Sequence, residues 1–452
     1  MTTKKRIATA THSPNFPTGF GRVNKEISNS LGKKYEVFCI GWQFQGLPFQ
    51  PKFPYLKSPE NYVICPTALG GNYNEFGQKT FPPFFQTFKP DMLLTLADWF
   101  VFSRPAHGFS SNWLPNFIAK KGRLLAQKKV EWVWYFPVDS TPICVAFVDI
   151  LRYCPHPVTM SKYGFKELDA QGFMSMYIPH GVDPTVFYRL PDEERLKIRR
   201  NIGMRLGIRN LEDKKIYFWG GRNQIRKFPQ LLIEAFGKFA QDKDDVFLLL
   251  HTTPVPAEAG YSLGLHIERY NLQGKVGFTN SGSIYMPTDS FLNEIYNAAD
   301  YYIDTAGGEG FGFFRVEPYW IPAIMPYWTT APEFMGREPI INISEGFSDH
   351  RKDGNKSLTK TKYGFLVPLI DAWSTGVGSD FGVIDRDYFI EAMNYFYYHD
   401  SEAKNMGMAR KQFIVKEYNW DWIRTMWLDY ISSIFDENES EFVYANVPTV
   451  GQ

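Results

Sequence analysis

Twice along this 452-residue chain, an apolar run of strand length ends in a glycine-bearing loop and is followed by a helical stretch. The first run is Arg6-Ile7-Ala8-Thr9-Ala10, with a loop from His12 to Arg22 that carries Gly19, Phe20 and Gly21. Val23 to Leu31 then shows apolar residues at i, i+4 and i+8, the spacing of a helix. The second run is Lys215 to Gly221, followed by Arg222, Lys227 and a helical stretch from Pro229 to Ala240. Further strand-like runs continue both halves: Tyr35–Gly41, Asp91–Leu96, Val130–Phe136 and Val158–Ser161, then Asp245–His251, Val276–Phe278, Asp300–Asp304 and Tyr363–Pro368. Strands and helices that alternate through short loops predict two doubly wound parallel sheets, an α/β architecture. A proline-containing, charged segment from Pro184 to about Lys214 reads as the hinge.

A chain this long exceeds one ordinary hydrophobic core, which agrees with two domains. Its net charge of +1 announces neither a nucleic acid nor a membrane partner. No stretch has the length and apolarity of a transmembrane helix, which leaves peripheral membrane contact open. The four cysteines, Cys39, Cys65, Cys144 and Cys154, are scattered without metal-ligand spacing, and a cytoplasmic, reduced protein is the plain expectation. Aromatic residues reach 17%, which fits either core packing or stacking platforms for bases and sugars.

The chemistry concentrates between Ala306 and Glu333. The turn Gly307-Gly308-Glu309-Gly310-Phe311-Gly312 follows a short strand, and Phe313 to Trp320 reads as the start of a helix stopped near Pro322. A strand, a glycine turn and a helix N-terminus form an anion site through outward-pointing N–H groups. Glu309 in that turn would compete with a phosphate unless it faces something neutral, such as a sugar hydroxyl. Glu317 follows eight residues later, so the two carboxylates suit two parts of one elongated ligand. Arg222 and Lys227, ahead of a helix, supply the matching cations. Two aspartates, Asp98 and Asp139, end strands at the sheet edge that carries the Gly19–Gly21 loop; Asp139 is the better candidate.

Taken together these pieces resemble glycosyltransferase family 4, the retaining, nucleotide-sugar-dependent enzymes of GT-B fold. The likeness rests on the glutamate pair in GGEGFGFFRVE, on Gly221-Arg222 with Lys227, and on Ile178-Pro179-His180-Gly181-Val182-Asp183 entering the hinge. Ala298-Ala299-Asp300 and Met406-Gly407 to Tyr418-Asn419-Trp420 fit as well. The resemblance implies two Rossmann-like domains facing a central cleft. Residues 1–190 would form the acceptor domain and 191–418 the nucleotide-sugar domain. The helix within 419–452 would cross back to the first.

It also implies roles. Arg222 and Lys227 would grip the diphosphate, and Glu309 would contact donor-sugar hydroxyls. Backbone N–H groups of Gly310, Phe311, Gly312 and Phe313 would hold the sugar or distal phosphate, and Glu317 the ribose. The Gly19-Phe20-Gly21 loop would approach the diphosphate from the other domain. Asp139 stands where many relatives carry a histidine near the sugar. The co-substrate would be a UDP-, GDP- or similar nucleoside-diphosphate sugar, with no cofactor and no metal. A glycan hydroxyl is the favoured acceptor. A modified nucleobase in DNA ranks behind it for want of a basic surplus, and a non-catalytic sugar-nucleotide scaffold is the rival class. Oligomeric state is not legible. The long irregular segment 336–362 carries a basic tract from His350 to Lys362 that reads either as a lid favouring an anionic acceptor or as a solvated surface insertion.

Overall fold

The computed structural model describes residues 4–45, 62–68, 76–103, 112–256, 259–280 and 288–436. The expected frayed tail after Asp436 lies outside them. The described residues form two compact units. One lies within Met1–Val138, Ile143–Gly181 and Trp420–Pro448, the other within Asp139–Pro142 and Val182–Asn419.

The first unit is built on β1 (Arg6–His12), β2 (Glu36–Gln45), β3 (Tyr62–Ala68), β4 (Met92–Leu96), β5 (Glu131–Phe136), β6 (His156–Thr159) and β7 (Met176–Tyr177). They pair in parallel in the order β3-β2-β1-β4-β5-β6-β7. A parallel sheet covered on both faces needs apolar residues on both, which is why β4 reads Met-Leu-Leu-Thr-Leu and is buried throughout. Trp132 and Trp134 of β5 stack at 6.0 Å, and their indole N–H groups donate to Thr95 Oγ1 and the Ala97 carbonyl, both at 3.0 Å. With Trp42, Trp113, Trp219, Trp328 and Trp427 also fully buried, much of the tryptophan complement is core.

The Gly19–Gly21 stretch is not a free loop. Gly19, Phe20 and Gly21 are the first turn of the helix Gly19–Leu31, capped by Thr18, whose Oγ1 accepts from Gly21 N at 3.0 Å. Neither β3 nor the helix Phe81–Phe88 was expected from sequence; the helix opens on prolines, which are tolerated only in a first turn. The helix Trp420–Phe435 belongs to this unit, as expected of a C-terminal helix that crosses back. It lies against Gly19–Leu31, with Arg424 Nη2 on Glu26 at 2.6 Å and Ser30 Oγ donating to the Arg424 carbonyl at 3.2 Å.

His180 sits buried beside Tyr135. The Tyr135 hydroxyl donates to the Ile178 carbonyl at 2.8 Å, so His180 Nδ1, also 2.8 Å away, is the donor to that oxygen. Burial, with Arg22 nearby, pushes His180 from 6.5 down to about 3. The native state therefore holds a neutral imidazole while the unfolded chain takes up a proton below about pH 6.5. Stability is unaffected above that pH and falls by up to about 1.4 kcal/mol per unit as the pH drops toward 3. Urea titrations at a series of acid pH values should show this slope, and His180→Gln should flatten it.

The second unit carries β8 (Lys215–Gly220), β9 (Val246–His251), β10 (Val276–Phe278), β11 (Tyr301–Ile303), β12 (Ala323–Pro326), β13 (Thr359–Thr361) and β14 (Gly364–Val367), in the order β10-β9-β8-β11-β12-β14-β13. The edge strand β13 is antiparallel and the other pairings are parallel. β14 is not the last strand. Residues beyond it form an antiparallel hairpin, β15 (Leu369–Ser374) with β16 (Asp380–Ile384), that sequence did not reveal. Its edge bridges Thr141, with Asp380 N donating to the Thr141 carbonyl at 2.6 Å, while Ser379 Oγ donates to the Pro142 carbonyl at 2.7 Å.

The basic tract is also ordered. Arg351 pairs with Asp353 and Asp371 and lies 3.7 Å over Phe347. Lys356 covers Tyr327, and Lys360 reaches Glu402. Much of its charge is thus paired inside its own unit, while Lys352 and Lys362 stay exposed.

Candidate functional site

The glycine turn hangs from the C-terminal end of β11 and is fixed from below by two buried arginines. Arg315, 1% exposed, donates from Nε to Asp304 Oδ2 at 2.6 Å and from Nη1 to Thr330 Oγ1 at 2.8 Å. The other Asp304 oxygen accepts from Ala306 N at 2.8 Å. Arg410 is fully buried and donates to the carbonyls of Pro318 (3.0 Å), Ile321 (2.9 Å) and Arg315. Burial pushes the Arg410 guanidinium down to about 10.

The α-helix expected from Phe313 to Trp320 does not form. A single 3-10 turn, Phe313–Arg315, is followed by irregular turns. Pro318 explains the failure: it disfavours helical backbone at Glu317 and supplies no N–H of its own. The helix N-terminus in the anion-site argument therefore falls away at this position. Local N–H groups and cations remain.

The turn is sewn to the loop after β8. Gly307 N donates to the Arg226 carbonyl at 2.8 Å, and Thr305 Oγ1 to the Lys227 carbonyl at 2.9 Å. These bonds bring Lys227 Nζ onto Glu309 Oε1 across 82 residues of sequence. Lys227 and Glu309 are 12% and 15% exposed at their side chains, so the pair is largely desolvated. Burial pulls the Lys227 ammonium well below the usual lysine range, reinforced by Arg226, Arg315 and Arg222 and opposed by Asp304. Arg222 itself is exposed and makes no ion pair among the described residues.

Arg226 was not singled out by the sequence, yet it occupies the centre. Its Nη1 donates to the Gly308 carbonyl at 2.6 Å and lies 3.5 Å from Asp139 Oδ2 and 3.8 Å from Glu309 Oε2. Asp139 belongs to the same unit as the glycine turn. Its carbonyl comes so close to Gly308 that an added Cβ would lie 1.8 Å away, so only glycine fits. Gly312 has φ +88°, the left-handed conformation that glycine adopts without strain. Beside them Thr329, a β-branched residue, sits at φ 49° while its Oγ1 accepts from Glu309 N at 3.3 Å. A strained residue anchoring Glu309 marks the turn as tightly determined.

Glu317 belongs to the same unit. It is 2% exposed and accepts from the Tyr296 hydroxyl at 2.5 Å. Gly310 and Phe311 are buried, while Gly312 and Phe313 are partly exposed. The structure thus brings Glu309, Lys227, Asp139 and the glycine turn together, with Arg222 near enough to act on Lys227. Gly19, Phe20 and Gly21 belong to the other unit. One cluster among the described residues has metal-ligand chemistry: His350, Asp385 and Asp387, with ligand atoms within 4.8 Å. Its contacts are accounted for structurally, since Asp385 caps the helix Arg386–Tyr398 and His350 stacks on Tyr388 at 4.5 Å. The four cysteines are free and buried, and no described helix is long and apolar enough to cross a membrane.

No protein-family model matches the sequence, and no curated protein matches it. Solved structures do match the fold. Sucrose-phosphate synthase from Thermosynechococcus elongatus superposes with a TM-score of 0.66 at 14% identity, covering 96% of this chain and 99% of that one. Anabaena HepE in complex with UDP and glucose gives 0.61 at 14% identity, covering 95% and 100%. A glycosyltransferase from Rickettsia africae gives 0.61 at 14%, covering 96% and 99%. Two Rossmann-like units with parallel sheets are thus the fold of GT-B glycosyltransferases.

Proposed function

We propose that the chain is a retaining glycosyltransferase of the family 4 type. It moves a sugar from a nucleoside-diphosphate sugar to a hydroxyl, most readily one on a glycan. The observation that carries this reading is the Lys227–Glu309 pair, held with Arg226 and Asp139 on the glycine turn of a glycosyltransferase fold, with exposed Arg222 near enough to act on Lys227. Lys227 and Arg222 receive the diphosphate, and Glu309 accepts from sugar hydroxyls. Backbone N–H groups from Gly310 to Phe313 complete the donor cradle, and Glu317 holds the ribose. UDP is the first base to test, because the HepE structures hold UDP, UDP with glucose, and UDP-glucose.

In this mechanism the bond between the anomeric carbon and the diphosphate oxygen breaks as the acceptor oxygen attacks the same face. The departing phosphate oxygen takes the acceptor's proton, so configuration is retained and no enzyme base is consumed. The protein's task is to stabilise charge on the leaving group, which preorganised cations do without a metal.

The test is incubation with UDP-glucose, UDP-N-acetylglucosamine, GDP-mannose and ADP-glucose, with and without cell extract as acceptor. Release of one nucleoside diphosphate, faster with extract, is the expected outcome. Binding of a donor with no release from any of them would favour the scaffold reading. Lys227 also gives a pH expectation. Its ammonium deprotonates below the ordinary lysine range, so UDP affinity should fall on the alkaline side earlier than an exposed lysine would allow. Calorimetric titration across alkaline pH checks it.

A further inference from the structure

Four charges meet at the glycine turn: Lys227 and Arg226 against Glu309 and Asp139. Two cations and two carboxylates balance. A diphosphate that draws Lys227 away leaves Glu309 beside an anion and without its main partner. A carboxylate in that position protonates or turns back to the lysine unless another cation holds it. Arg226 is the group placed to do so. One edge of its guanidinium faces Glu309, Asp139 and the Gly308 carbonyl together. Its own backbone carbonyl fixes Gly307.

The hairpin supports it from behind. Gly382 N donates to the Gly307 carbonyl at 2.8 Å, and the guanidinium lies 5.9 Å over the Phe381 ring. Phe381 is in turn stacked on Trp373 at 5.8 Å. All three polar contacts run through Nη1, and what a lysine would lack is the flat guanidinium that lies over Phe381.

Resting on the transferase reading, we propose that Arg226 is a positioning residue of the transfer step. It carries the Glu309 charge and offsets the neighbouring Asp139 carboxylate when Lys227 moves to the diphosphate. The groups that face Glu309 are Lys227, Arg226 and, through Arg226, Asp139; Arg315 lies beneath the turn, engaged by Asp304.

The experiment compares wild type with Arg226→Gln, Arg226→Lys and Arg226→Gln/Asp139→Asn, using UDP for binding and the donor that wild type turns over for kinetics. Arg226→Gln should lower kcat by about thirtyfold or more. Its UDP Kd should stay within about threefold. The acid limb of its kcat profile should move to higher pH, since losing a nearby cation raises a carboxylate's pKa. Adding Asp139→Asn should recover part of the rate, and Arg226→Lys should fall between. A parallel loss of UDP affinity would make Arg226 a phosphate ligand and overturn the proposal. So would an unchanged kcat, or a lowered kcat whose pH limb does not move. A wild type that releases no diphosphate from any donor would instead defeat the transferase reading, and this role with it.

Discussion

Lys227→Met is expected to reduce sugar transfer by about a hundredfold to a thousandfold, the effect of removing one preorganised stabiliser of developing charge. The expectation rests on burial. An exposed lysine would be screened and replaceable by water, but Lys227 is 12% exposed and already engaged by a carboxylate. Its removal does two things. On the proposed mechanism the leaving diphosphate would lose one of its cations, and Glu309 loses the ammonium paired with it. Arg226, 3.8 Å away, limits the second effect, so the variant should stay folded while both UDP affinity and kcat fall. Steady-state kinetics with the turned-over donor, together with UDP calorimetry, measures both.

The second large effect concerns stability. Arg315→Met should destabilise the second unit by about 3–5 kcal/mol, because it leaves Asp304 as an uncompensated buried carboxylate. Thr330 loses its donor in the same step, and the Phe311 carbonyl that Thr330 holds is loosened. The double variant Asp304→Leu/Arg315→Met should recover much of the loss, since a buried ion pair replaced by apolar residues is often near neutral. Urea midpoints of the three proteins test this. Activity is expected to recover less than stability, because Asp304 also receives Ala306 N and so shapes the turn that presents Glu309.

What the sequence made legible follows from burial. Strands covered on both faces appear as unbroken apolar runs, and β4, β5, β8 and β9 were readable for that reason. The proximity of Lys227 to Glu309 was implied by motif resemblance, and the bonds from Gly307 and Thr305 supply its physical basis. Arg226 was not legible, because a charge beside Lys227 in a loop looks like any solvated charge until the turn folds over it. The hairpin was hidden for a related reason. Its strands are partly exposed, carry Asp371, Ser374 and Asp380, and are held by Thr141, Pro142 and Gly307 from distant sequence. The false helix after Gly312 was a local reading overruled by Pro318 and by Arg410, which claims three carbonyls of that stretch.

These elements give Glu309 a double task. It neutralises Lys227, and with the proposed donor bound it would face the sugar. The most direct measurement is UDP titration and donor turnover on Glu309→Gln beside wild type. The account predicts UDP binding that is retained or tightened, because Lys227 no longer has a competing carboxylate, together with transfer reduced by about a hundredfold or more. Transfer at the wild-type rate, or UDP binding lost in step with transfer, would contradict it.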